Sequence, residues 1–191
     1  HMLDRFLIPL LLHAPIRHPD DVTLLLQKVK RNRMAKMALE SAIWDIYATM
    51  NELPLAQAIG GSKRKIAVGI SLGMEEKTSD LLHKIEVYAA AQYKRIKIKV
   101  APERDIAVLK EVRRHFPDLP LMVDANSAYT LDDLEHLRKF DEFNLMMLEQ
   151  PLSADDIIDH AKLQRVLQTP ICLDESIHSL DDVKLAVALK S

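Results

Sequence analysis

From residue 67 onward, short apolar runs alternate with longer stretches of mixed polarity. Arg95-Ile-Lys-Ile-Lys-Val100, Leu119-Pro-Leu-Met-Val-Asp-Ala-Asn126, Leu145-Met-Met-Leu-Glu-Gln150 and Pro170-Ile-Cys-Leu-Asp-Glu-Ser176 read as buried strands, since short apolar runs of this kind suit a parallel sheet covered on both faces. Ala67-Val-Gly-Ile-Ser-Leu-Gly73 reads as an earlier strand ending in a glycine loop. Helices are expected at about 78–92, 103–115, 131–139, 154–167 and 180–189. Thr130, Ser153 and Ser179 stand before three of them as N-caps, and Asp132 and Asp133 add favourable charge to one first turn. Five strands, each followed by a helix, predict a parallel βα array with right-handed crossovers.

The first 60 residues read as helical: Leu3 to Leu12, interrupted by Pro9, then Pro19 to Lys30, then a long amphipathic stretch from about Asn32 to Met50. In the last stretch Met37, Ile43, Trp44, Ile46 and Tyr47 fall near helical spacing among alanines, which predicts a packed core face and not a cofactor-binding segment. Leu53 to Gly61, with Pro54 and Gly60-Gly61, reads as a connector. The expected division is a helical domain at 1–60 and a βα domain at 61–191.

Length changes this picture. The 191 residues can bury one good core but fall short of the roughly 250 of a complete eight-unit barrel, and five units alone would leave two open sheet edges. The expectation is a partial barrel with further chain at its C-terminus and at its N-terminus. The 26 Lys+Arg and 28 Asp+Glu are interspersed and give a net charge of −2, so nucleic acid and anionic membranes are disfavoured as partners. No apolar run approaches the ~18 residues of a membrane span. A small-molecule ligand is the expectation, and the lone Cys172, set in an apolar strand, fits a reducing, cytoplasmic setting.

Chemistry enters with the strand ends. Lys99, Asp124, Glu149 and Asp174 are each 25 positions apart, about one βα unit, so all four should come from one end of four adjacent parallel strands. Three carboxylates there make a hard-oxygen donor set suited to Mg²⁺ in an octahedral shell completed by water and substrate. Asn126 and Ser176, two residues beyond Asp124 and Asp174, could orient ligands or simply form turns. Lys97 and Lys99 alternate with Ile96, Ile98 and Val100, so both ammonium groups should share the face of Asp124. Two close lysines near a divalent cation disfavour each other's charged form, which predicts at least one neutral amine able to act as a general base. A base beside a cation that binds a substrate carboxylate is the arrangement for removing the proton α to that carboxylate. Glu175 should point to the opposite face if the strand is regular, with no catalytic role, and His13, His18, His115 and His178 keep no register with the acids and read as surface or loop residues.

Taken together these residues resemble the enolase superfamily, in its muconate-lactonising-enzyme-like branch, and within it the o-succinylbenzoate synthase / N-succinylamino acid racemase family. The resemblance rests on Tyr93-Lys-Arg-Ile-Lys-Ile-Lys99, Met122-Val-Asp-Ala-Asn-Ser-Ala-Tyr129, Met147-Leu-Glu-Gln-Pro-Leu152, Asp159-His-Ala-Lys-Leu-Gln164 and Thr169-Pro-Ile-Cys-Leu-Asp-Glu-Ser-Ile177, with Asn32-Arg-Met-Ala-Lys and Ala42-Ile-Trp-Asp45 resembling the end of the capping domain. It implies an α/β fold, a partial (β/α) barrel (modified TIM barrel) preceded by capping-domain helices. It also implies a Mg²⁺ site at Asp124, Glu149 and Asp174, with Mn²⁺ as an alternative, Lys99 as catalytic base and Lys97 as its neighbour. The implied reaction is syn-dehydration of 2-succinyl-6-hydroxy-2,4-cyclohexadiene-1-carboxylate to o-succinylbenzoate in menaquinone biosynthesis. Some family members racemise N-succinyl- or N-acylamino acids by the same proton abstraction.

The family's opposite-face lysine belongs to the sixth strand, which by the 25-residue step falls just past Ser191, so the 191-residue segment alone is expected to be inactive or very weak. Two other readings stand beside this one. A different member of the branch, such as a dipeptide epimerase or a cycloisomerase, would share the acids and lysines. A non-catalytic truncated barrel would associate through its open edges, and homo-oligomer formation through exposed helix faces is compatible with either enzyme.

Overall fold

The computed structural model describes residues 1–62 and 65–191, and the chain divides into two compact units, His1–Lys65 and Ile66–Ser191. The division falls a few residues beyond the expected boundary at 60.

The first unit is helical. One π-helical turn, Leu3–Leu7, runs directly into α1 (Ile8–Leu12), with Pro9 in the first turn of α1. Helices α2 (Asp20–Leu26), α3 (Arg33–Met50) and α4 (Leu55–Ala58) follow, so the expected connector carries one helical turn of its own. Leu7, Leu11, Val22 and Leu26 form the core, and Ala35, Leu39 and Ile43 pack on it because residues four apart share one face of α3. Trp44 and Tyr47 are half-buried and close edge-on around the His18 ring. Met37 and Ile46, expected in the core, lie off that face and are 60% and 53% exposed.

The second unit is a five-stranded parallel sheet in the order β1-β2-β3-β4-β5: Gly69–Leu72, Arg95–Lys99, Leu121–Asp124, Leu148–Glu149 and Ile171–Cys172. Gly69 permits the close approach of β1 to β2, since a Cβ there would sit 2.8 Å from the Arg95 carbonyl oxygen. The crossovers carry α5 (Thr78–Ala90), α6 (Ile106–His115), α7 (Leu134–Leu137, flanked by 3₁₀ turns Leu131–Asp133 and Arg138–Phe143) and α8 (Ile158–Gln164), and α9 (Leu180–Leu189) follows β5. Ile96, Ile98, Leu121, Val123 and Leu148 are fully buried, and Leu81, Ile85, Leu109, Val112, Leu137, Phe140 and Leu163 from the helical segments belong to the same core.

The loops are pinned by side chains. Thr130 and Asp133 form a reciprocal capping box, and the Ser179 hydroxyl accepts from the Asp182 N–H, as expected. Ser153 does not cap. Its carbonyl closes a turn with the Asp156 N–H, and the Asp156 carboxylate accepts from the Asp159 and His160 N–H groups, so α8 starts four residues later than expected. Arg113 donates to the carbonyls of Leu119, Phe143 and Asn144, tying α6 to the entries of β3 and β4.

Buried Asp105, at the start of α6, accepts from the Tyr129 hydroxyl at 2.7 Å and contacts His136 Nε2 at 2.6 Å, joining the segments that follow β2 and β3. Burial works to raise the Asp105 carboxyl, but bonds from Tyr129, His136 and the Ile106 N–H outweigh it and hold it below its ordinary value. The stabilisation is therefore complete above the ordinary value of 3.8 and is lost as pH falls through the lower folded-state value. Asp105→Asn is expected to cost about 2 kcal/mol at pH 7 and to flatten acid unfolding below about pH 4, measured by urea denaturation across pH.

Candidate metal and proton-transfer site

Hydrogen-bonded register brings most of the expected residues to one row. Lys99 pairs with Asp124, Asp124 with Glu149, and Glu149 with Cys172. Paired residues of a parallel sheet point to the same face, so with Ile96 and Ile98 turned into the core, Lys97, Lys99, Asp124 and Glu149 project together on the other side. Asp124 and Glu149 are 2% and 7% exposed. Lys97 Nζ lies 2.6 Å from Glu149 Oε1 and 3.2 Å from Asp124 Oδ2, and Lys99 Nζ lies 3.3 Å from Asp124 Oδ2 and donates to Asn126 Oδ1.

The neutral-amine expectation fails for Lys97. Burial works to lower its pKa, but hydrogen bonds to Glu149 and Asp124 outweigh it, and the net shift is upward. Two acids, and not the neighbouring lysine, set its protonation. Asn126 turns back through a left-handed backbone (φ 42°), its N–H donating to Asp124 Oδ1 and its Nδ2 to Glu175 Oε1 at 3.1 Å. Glu175 thus reaches the Asn126 side of the site, contrary to the alternation argument, because β5 ends at Cys172 and the chain beyond it has left strand geometry. Glu175 Oε2 is buried with no hydrogen-bond partner among the described residues.

Asp174 is placed differently from the other acids. It lies two residues beyond the row, is exposed, and its backbone N–H donates to Gln150 Oε1 at 2.9 Å. Buried Ser176 faces the loops: its hydroxyl donates to the Asp156 carbonyl and accepts from Gln150 Nε2. Sequence reasoning quoted Gln150 and His160 within family motifs but gave neither a role, and both are fully buried. Apart from those motifs, their cue was a polar residue wedged between a strand-end acid and Pro151, and a histidine on the buried face of a helix.

The donor chemistry suits a hard divalent cation, and two of the three carboxylates already converge on one positive charge, the Lys97 ammonium. The third is not gathered with them; among the described residues no three His, Cys, Asp or Glu side chains form a metal-holding group. Asp124 and Glu149 fit the ion as a pair, with Asp174 two residues beyond Cys172, the β5 residue that pairs with Glu149.

Comparison with known proteins decides the family. The mandelate racemase / muconate lactonizing enzyme N-terminal domain matches residues 1–60, and the enolase C-terminal domain-like family matches residues 80–191. The chain belongs to the enolase superfamily. Among curated superfamily relatives, an o-succinylbenzoate synthase of Geobacillus stearothermophilus is 55% identical over 100% of this chain and 51% of its own length. An N-succinylamino acid racemase of Thermus thermophilus is 41% identical over 99% of this chain and 51% of its own. The chain spans about half the length of the curated relatives it matches. A solved enolase-superfamily member from Enterococcus faecalis superposes with TM-score 0.86 at 48% identity, over 98% of this chain and 51% of that one. A racemase from Streptomyces coelicolor with bound magnesium superposes with TM-score 0.85 at 26% identity, over 99% and 57%. No helix among the described residues is long and apolar enough to cross a membrane.

In this enolase-superfamily site, removing the Lys97 charge should leave buried Glu149 uncompensated and buried Asp124 with Lys99 alone. Lys97→Met is expected to cost about 3 kcal/mol at pH 7 without divalent cations. Because the folded-state value is raised, the wild-type advantage is complete below 10.5 and is lost as pH climbs through the higher folded-state value, which denaturation at pH 7 and at rising pH above 10.5 would check.

Proposed function

We propose that the protein is a Mg²⁺-dependent o-succinylbenzoate synthase acting on a small-molecule carboxylate in menaquinone biosynthesis. The observation that carries the reading is the single strand-end row in which Lys99 stands beside Asp124 while Lys97 is clamped between Asp124 and Glu149. The relative at 55% identity supports the dehydratase assignment.

Asp124, Glu149 and Asp174 would hold the cation, whose charge, when bound, favours the negative charge that develops on the substrate carboxylate. Lys99 removes the proton α to that carboxylate, and the electron pair left behind expels the 6-hydroxyl. The same lysine returns the proton to the departing oxygen, so water leaves and the ring becomes aromatic. Lys97 stays an ammonium, adding fixed positive charge. Asn126, its amide oxygen on Lys99 and its amide nitrogen on Glu175, orients the base.

A second reading, N-succinyl- or N-acylamino acid racemase, is favoured by the relative at 41% identity and uses the same α-proton removal. Product formation from the cyclohexadiene substrate and solvent-deuterium uptake by N-succinylamino acids, assayed on the protein at its native length, separate the two. Lys99→Ala is expected to lower the dehydration rate roughly 10³-fold. Asp124→Asn should abolish any rise in melting temperature on adding Mg²⁺. A Lys99→Ala variant with wild-type rate would overturn the assignment.

A further inference from the structure

We infer that Gln150 is a positioning residue for the cation site, its side-chain amide fixing the Asp174 backbone where the chain leaves the β5 end. The inference rests on the functional reading above. Lys99, Asp124 and Glu149 all lie within the hydrogen-bonded ladder, so pairing alone sets their mutual positions. Asp174 does not, because β4 and β5 pair only through Leu148–Ile171 and Glu149–Cys172 and the ladder stops two residues short of it. What holds the chain there is a side chain.

Gln150 is fully buried, and its left-handed backbone (φ 37°) continues the strand's pairing while its side chain turns to the segment after β5. Its N–H donates to the Cys172 carbonyl and its own carbonyl accepts from the Ser127 N–H, each at 2.8 Å, so the residue joins β5 and the segment after β3. Oε1 accepts from the Asp174 N–H at 2.9 Å and the Ser176 N–H at 3.3 Å. Nε2 donates to the Ser176 hydroxyl at 2.7 Å and to the Ser153 carbonyl at 3.0 Å, with the Leu152 carbonyl at 3.4 Å. The amide cannot flip without setting its NH₂ against two N–H donors and its oxygen against two carbonyls. The hydroxyl of Ser176 passes the connection to the Asp156 carbonyl, and the ring of buried His160 closes it, Nε2 accepting from the Leu152 N–H and Nδ1 donating to Asp156. The segments after β4 and β5 therefore form one hydrogen-bonded block whose orientation centres on this amide.

The test is Mg²⁺ affinity by calorimetry, with the spectrum of bound Mn²⁺ as an independent signature, on the protein at its native length. Gln150→Met keeps the volume and removes every side-chain bond; its Mg²⁺ dissociation constant is expected to rise at least about tenfold. Ser176→Ala leaves the Oε1 bond to the Asp174 N–H and should weaken binding by about two- to threefold, giving a second measurement if Gln150→Met fails to fold. Ser179→Ala, which removes the α9 cap and touches neither Gln150 nor Asp174, should lower the melting temperature with affinity unchanged, so a general loss of stability is told apart. Wild-type affinity in both Gln150→Met and Ser176→Ala, with Asp124→Asn unable to bind, overturns this inference and leaves the functional reading intact. Absence of Mg²⁺ binding by the unsubstituted protein, or undiminished binding by Asp124→Asn, overturns the cation site and this inference with it.

Discussion

The register of three parallel strands is the constraint on which the site depends. Lys99, Asp124 and Glu149 share a row only because β2, β3 and β4 pair without a slip, and a slip of one residue would send every side chain to the opposite face. What forbids the slip is the other face of the same strands. Ile96, Ile98, Leu121, Val123 and Leu148 are buried in the core, and exchanging them with lysines and acids would bury charge and expose aliphatic surface together. Packing on one side of the sheet thus fixes chemistry on the other.

That chemistry begins as an electrostatic problem. Two carboxylates almost removed from water stand on adjacent strands, and each needs compensating charge. Lys97 supplies it to both, which explains why its proton is held more tightly, while the second lysine is more exposed and is bonded to one acid and an amide oxygen. The same carboxylate pair that binds an ammonium offers the oxygen chemistry a divalent cation requires. The two lysines are thereby distinguished by their partners and not by their shared sequence motif.

Beyond the strand ends, side chains take over from the ladder. Asp105 gathers Tyr129, His136 and the start of α6 behind the β2 end. Asn126 links Lys99 to Glu175, and Gln150 links the β4 end to Asp174 and Ser176. The Asp105 and Gln150 junctions are buried or partly so, and a polar network whose bonds are made under those conditions rigidifies a loop, whereas the Asn126 junction is exposed. Among the described residues, Glu175 Oε2 has no partner, and its carboxylate is joined to the proposed base only through Asn126.

How much of this was legible varies with the physical range of the signal. Five strands, their order along the chain and the shared face of Lys97, Lys99, Asp124 and Glu149 were readable because alternation and the spacing of βα units are local periodicities. So were the caps at Thr130 and Ser179, which need only residues three apart. Equal spacing misplaced Asp174, since the β4-to-β5 step pairs Glu149 with Cys172 and counting residues does not reveal where a ladder ends. Glu175 was assigned to the wrong face for the same reason, and Met37 and Ile46 were assigned to a core whose face runs through Ala35, Leu39 and Ile43. The sequence alone determined the fold class, the enolase-superfamily motifs and the residue types of the site, all of which follow from short-range pattern. Which lysine is clamped, where the third acid stands and what holds it there were decided only by the tertiary structure, because each depends on side-chain bonds, to other side chains or to backbone, between residues from 20 to more than 50 positions apart.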